Sequence, residues 1–167
     1  MDNNGYLKLK NYFQDLTAQA NFLNGFAGFF SRELATQLTS RKDPLQAPYL
    51  ALFKYQLGLE GDEMKTMGIR KLGFAVMIND VPKDDYELQY AAIDRAEQLA
   101  LKVLARVKYD NNLKTHFLWN SLQKDSINIE PVELSRSDFG VEVTFDLKNS
   151  QTLTLDPADW KDITNIC

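Results

Sequence analysis

Asp84-Asp-Tyr-Glu-Leu-Gln-Tyr-Ala-Ala-Ile-Asp-Arg-Ala-Glu-Gln-Leu-Ala-Leu-Lys-Val-Leu-Ala-Arg-Val-Lys-Tyr109 is the stretch that decides the fold, and it contains neither Gly nor Pro. Tyr86, Tyr90, Ile93, Ala96, Ala100, Val103, Leu104 and Val107 recur at three- and four-residue steps, which places them on one face of a helix. Asp94, Arg95, Gln98, Lys102 and Arg106 fall largely off that stripe. Pro82 precedes the segment, and Asp84, Asp85 and Glu87 fill its first turn, where the positive end of the helix dipole favours them. Lys102, Arg106 and Lys108 crowd the other end, where cations are favoured. A long amphipathic helix is therefore expected over Asp84–Tyr109.

Working outward toward the N-terminus, Leu9, Tyr12, Phe13, Leu16, Ala20 and Leu23 predict a first helix over about Tyr6–Phe22. Phe22–Phe30 is aromatic but carries Gly25 and Gly28, so a bend or short irregular crossing is expected there. Ser31 is expected to cap a short second helix, and residues 41–48, with Pro44 and Pro48, to form a loop. Tyr49, Ala51, Phe53, Tyr55, Leu57 and Leu59 then alternate with polar positions, as in a half-buried strand with those six on one side. Leu72, Phe74, Val76 and Ile78 alternate again. The two runs predict a long hairpin with a polar, flexible tip over Glu60–Gly68.

Beyond the long helix, Leu113, Phe117 and Leu118 suggest a short helical piece, and Ile127, Ile129 and Val132 a strand that Pro131 marks as an edge or bulge. Phe139, Val141, Val143, Phe145 and Leu147 form the cleanest strand. Gln151–Leu155 follows another turn, and Trp160 is expected to staple the C-terminal end onto the domain. The predicted class is α+β, an antiparallel sheet of four to five strands with the long helix and N-terminal helices on one face. One domain spans 1–167, with a helical part over 5–40 and the sheet and central helix over 48–160.

The 44% apolar and 25% charged composition is that of a globular chain large enough to need no disulfide or metal for stability. No window reaches the ~20 apolar residues of a membrane helix, and the N-terminus lacks a secretory pattern, so synthesis in the cytosol is expected. A net charge of −4 with scattered cations argues against tight nucleic-acid binding. Cys167, the sole cysteine, reads as a spectator thiol. His116, the sole histidine, reads as a packed or surface residue, because no nucleophile or second ligand accompanies it.

Glu60, Asp62 and Glu63, and Asp80, Asp84, Asp85 and Glu87, supply oxygen ligands that a divalent ion could use, but they read better as a solvated acidic surface. The glycines never fall at a phosphate-cradling spacing. No catalytic, cofactor or metal site is expected. What stands out is apolar: Phe22, Phe26, Phe29 and Phe30 crowd one short stretch, either as core beneath the sheet or as a patch offered to another subunit.

Three segments carry a likeness to known proteins: the hairpin region Tyr49–Ile78; the helix end Leu99-Ala-Leu-Lys-Val-Leu-Ala-Arg-Val-Lys-Tyr-Asp110; and Ile127-Asn-Ile-Glu-Pro-Val132 with Asp138-Phe-Gly-Val-Glu-Val-Thr-Phe-Asp-Leu147 and Leu155-Asp-Pro-Ala-Asp-Trp160. In this layout the chain resembles small phage tail-terminator and head-to-tail completion (neck) proteins, including those of Bacteroidetes phages and prophages. The resemblance implies a non-enzymatic virion protein, made in the bacterial cytoplasm, that self-associates into a ring and contacts other tail or neck proteins. It nominates two contact regions, Phe26, Phe29 and Phe30 in the aromatic patch, and Glu60, Asp62, Glu63 and Met64 in the hairpin tip. The alternative is a small ligand-binding or regulatory module with a pocket between helices and sheet.

Overall fold

The strict alternation of residues 139–147 is realised in the middle of a five-stranded sheet. The computed structural model describes residues 5–62, 65–135 and 137–163. In chain order the elements are α1 (Tyr6–Gln19), β1 (Gly25–Ala27), α2 (Ser31–Thr39), β2 (Tyr49–Gly61), β3 (Thr66–Ile78), α3 (Tyr86–Asn111), β4 (Leu122–Ser135), β5 (Asp138–Ser150) and a 3-10 turn over Pro157–Asp159. The sheet order is β1-β2-β3-β5-β4. Four strands are antiparallel, as expected, while β1 joins β2 in parallel, so the sheet is mixed.

One face of this sheet carries the main core. Leu72, Phe74 and Val76 of β3 and Val141, Val143, Phe145 and Leu147 of β5 lie against Leu9, Phe13 and Leu16 of α1 and Ala96, Ala100, Val103 and Val107 of α3. The other face is covered only at one end. There α2 lays Leu34 and Leu38 over Tyr49, Ala51, Ala75 and Met77, so α1 and α3 share one face and α2 takes the opposite one. At Gly140 a Cβ would run into the carbonyl oxygen of Val76 and into Met77, so β5 approaches β3 closely there.

β2 departs from simple alternation. Leu52 pairs with Phe74, but Lys54 pairs with Gly73, so Phe53 and Lys54 oppose one residue in a bulge. An extra residue reverses the phase of every later side chain. Leu50 and Leu52 face the main core before the bulge, and Tyr55 does so after it, whereas Tyr49 and Ala51 belong to the α2 side. The six residues expected on one side are thus split between two. Gly73 leaves room for the displaced ring, since a Cβ there would lie 2.6 Å from Cζ of Phe53.

Several local expectations are corrected by packing. α1 ends at Gln19, and the glycine-punctuated crossing contains β1, a strand made by pairing with β2 rather than by local propensity. Ser31 is the first residue of α2 and Phe30 its cap, with no side-chain capping bond. The hairpin stays paired as far as Gly61 and Thr66, so Glu60, Gly61 and residues 66–68, expected in a flexible tip, are strand. Residues 112–121 form turns and contain no helix, while β4 starts earlier, at Leu122. Residues 151–155 are not a strand, and Trp160 is exposed. Cys167 lies outside the described residues.

In α3, Asp85 caps the N-terminus by accepting a 3.1 Å bond from the Leu88 amide. The buried stripe begins only at Ala92 and includes Leu99, so the first turns overhang the sheet and leave Tyr86 and Tyr90, expected in the core, largely exposed. Phe74→Ala should therefore lower unfolding free energy by about 3–5 kcal/mol, whereas Tyr90→Ala should change it by no more than about 0.5 kcal/mol. Denaturant unfolding of the two variants checks this assignment of faces.

Candidate interaction surfaces

Two Ala side chains set the floor of a cleft on the second face of the sheet. Ala51 and Ala75 oppose each other across β2 and β3, and their short side chains leave a depression. Phe53 from the bulge, Phe29 and Phe30 just before α2, Leu34 of α2, and Met77 and Leu134 wall it, giving a cleft of about 180 Å³. Phe30 is 63% exposed and Phe53 and Leu134 are also exposed, so an apolar rim faces solvent.

The three phenylalanines nominated from the sequence have different fates. Phe26 lies in β1 and packs partly into the main core. Phe29 turns the corner at the sheet edge, stacking on Tyr6 at 4.8 Å and meeting Tyr55 edge-on at 5.9 Å. Phe30 alone is mostly presented outward. The patch is therefore divided, with Phe22, Phe26 and Phe29 packed against the main core and Phe30 exposed.

The hairpin residues form a separate surface. Glu60 makes an ion pair with Lys148 of β5, both partly exposed. Asp62 accepts a 2.8 Å bond from the Lys65 amide. Glu63 and Met64 lie outside the described residues. Leu57 and Leu59, on the α1 and α3 side of the sheet but beyond the reach of those helices, are 42% and 51% exposed. Arg70, by contrast, is fully buried, donating from Nη1 to Asn149 at 2.7 Å and from Nη2 to Gln151 at 2.8 Å. These bonds tie the chain after β5 to β3.

The most polar buried cluster lies where α1 meets the end of α3. Asp110 is buried, and its Oδ2 accepts 2.8 Å bonds from the Tyr12 hydroxyl and from Arg106 Nε. Burial, followed by the hydrogen bond to and negative charge of Asp110, pushes the Tyr12 phenol well above its ordinary range. Through this hydrogen bond the Tyr12 phenol clamps α1 to the end of α3. Asn111 continues the clamp, its Oδ1 accepting from the Ser121 and Leu122 amides at 2.9 and 2.8 Å. His116 packs at 4.7 Å from Phe117, and its Nδ1 accepts a 3.2 Å bond from the Leu118 amide. An open groove of about 780 Å³ runs past Lys8, Asp15, Arg106 and His116 beside α1.

The sequence reading missed Asp110 and Arg70 as buried groups. The (i, i+4) spacing of Arg106 and Asp110 was the available signal for the first. Among the described residues no group of three His, Cys, Asp or Glu is placed to hold a metal ion, and no helix is long and apolar enough to cross a membrane. No protein-family model matches the chain, and no curated protein matches it.

Folding keeps the Tyr12 proton on at a pH where the unfolded chain, with an ordinary tyrosine value of about 10, has released it. Unfolding then releases a proton, so this contribution is complete below about pH 10 and is lost as pH rises beyond it. The slope is about 1.4 kcal/mol per pH unit for one such group. Burial and the charge of Asp138 push Tyr49 the same way. Denaturant titrations at alkaline pH should show this fall, and Tyr12→Phe should flatten it while costing about 1–2 kcal/mol near neutrality.

Proposed function

We propose that the protein is a non-enzymatic virion structural protein of the tail-terminator or head-to-tail connector kind, a subunit that assembles into a ring by protein–protein contacts. The observation that carries this reading is the apolar rim around Phe30, Phe53 and Leu134, which lies on a sheet face that α2 covers only at one end. Exposed aromatic and aliphatic groups gathered around a depression are the usual make-up of a protein contact.

A ring needs two different patches on each subunit, one for each neighbour. The cleft supplies the first. The overhanging start of α3, with Tyr86, Leu88 and Tyr90 exposed, supplies the second, and we assign it to the neighbouring copy's cleft. The hairpin is left as a further contact surface. The acidic balance of the chain suits a passage that DNA crosses without adhering.

Electron microscopy and light scattering of the purified chain, alone and with tail tubes, test the reading. Closed rings several times heavier than the 19.1 kDa chain are expected, and Phe30→Asp should prevent closure without altering circular dichroism. A chain that forms no ring under either condition, yet gains thermal stability from a small apolar compound, would contradict the proposal. That outcome would make the cleft the pocket of a ligand-binding module.

A further inference from the structure

β2 is fully paired on its inner edge and almost unpaired on its outer one. β3 accompanies it from Tyr49 to Gly61, but β1 accompanies it only at Tyr49, Leu50 and Ala51. From Phe53 to Gly61, no backbone group of another described segment bonds to the outer edge. Such an edge offers a row of N–H and C=O groups to any strand that approaches it.

The opposite edge of the sheet is more heavily protected than this one, whose only charges between Phe53 and Gly61 are Lys54 and Glu60. β4 carries Pro131, a break in register between Gln123 and Asn128, and the charges of Lys124, Asp125, Glu130 and Glu133. Proline, irregularity and charge are the devices that keep edges from pairing. Past its bulge, the β2 edge has no proline and no further register shift, and it exposes Leu57 and Leu59.

The sequence of this edge is complementary to itself. Two copies related by a two-fold axis normal to the sheet pair antiparallel, with opposed residues on the same face. Centred on Leu57, that pairing uses the whole open stretch. Lys54 then opposes Glu60 of the second copy, and the reverse pair repeats it. Tyr55 opposes Leu59, Gln56 opposes Gly58, and Leu57 opposes its own counterpart. Any shift shortens the ladder and separates Lys54 from Glu60. Lys54 makes no ion pair among the described residues, and Glu60, already paired with Lys148 of its own chain, takes Lys54 of the second copy as a further cation.

We propose that the outer edge of β2, residues 53–61, binds the same edge of a second copy of this chain, centred on Leu57, and joins two five-stranded sheets into one. The contact covers Leu57 and Leu59, which the helices leave bare. It is two-fold, unlike the ring contact proposed above, and stands without it.

Sedimentation across a concentration range should show a species of twice 19.1 kDa, or assemblies built from it. Lys54→Glu sets two like-charged pairs across the axis and should weaken the pairing about tenfold or more. Lys54→Glu with Glu60→Lys restores opposite charges and should recover it, which no misfolded variant would do. In a Cys167→Ser background, Leu57→Cys should oxidise to a covalent dimer, because opposed Cα atoms lie about 4.5–5.5 Å apart and a disulfide reaches that far. Leu59→Cys should not. A chain that stays single with no Leu57→Cys cross-link overturns the proposal, as does a dimer indifferent to Lys54→Glu or one cross-linked through residue 59 alone.

Discussion

Phe13 of α1 sits against Phe74 of β3 and Phe145 of β5, with ring centroids 5.7 and 6.4 Å away, and the two strand rings are 6.3 Å apart. This three-ring contact joins the first helix to the two strands at the heart of the sheet. Aromatic groups bury large areas and prefer tilted geometries of this kind, so the triad fixes both distance and orientation. α3 adds Ala96, Ala100 and Val103 alongside it, where small side chains let the helix lie close to the sheet. Asp110 then fastens the far end of α3 back to α1 through Tyr12. With most of one face of the sheet filled in this way, the apolar surface left bare lies on the other face, along the β2 edge and at the start of α3.

The bulge at Phe53 shapes most of that remaining surface. It lies just beyond the last residue paired with β1, sets Phe53 against Gly73 on the α2 side, and sends Tyr55, Leu57 and Leu59 to the other face. A cleft and an open strand edge both begin at this one extra residue. Without it, Leu57 and Leu59 would share the α2 side with Tyr49 and Ala51, and Lys54 and Glu60 would lie on the side of α1 and α3. The irregularity is therefore a positional device in the sense that bulges usually are.

Long periodic segments were legible because their signal is local. The helix over 86–111, the alternation of 139–147 and the 72–78 half of the hairpin all follow from side-chain periodicity alone. β1 was not legible: two glycines within a short aromatic run read as a break, and only β2, more than twenty residues later in the chain, makes the segment a strand. The phase change in β2 was hidden because apolar residues occupy odd positions on both sides of the bulge, so alternation looked continuous. Tyr86 and Tyr90 satisfied the helical stripe, yet the sheet ends before it reaches them. Of the nominated contact residues, Phe30 stands at a cleft that periodicity could not reveal, since its floor comes from Ala51 and Ala75 on other strands.

The core leaves a strand edge and an apolar face uncovered, and we propose that both serve protein contact. Hydrogen exchange read amide by amide, in dilute and in concentrated solution, tests it most directly. Alternate amides between Phe53 and Gly61 are expected to gain protection as concentration rises while those of β4 stay unchanged. Protection that appears along β4 instead, or exchange along β2 that ignores concentration, would contradict it.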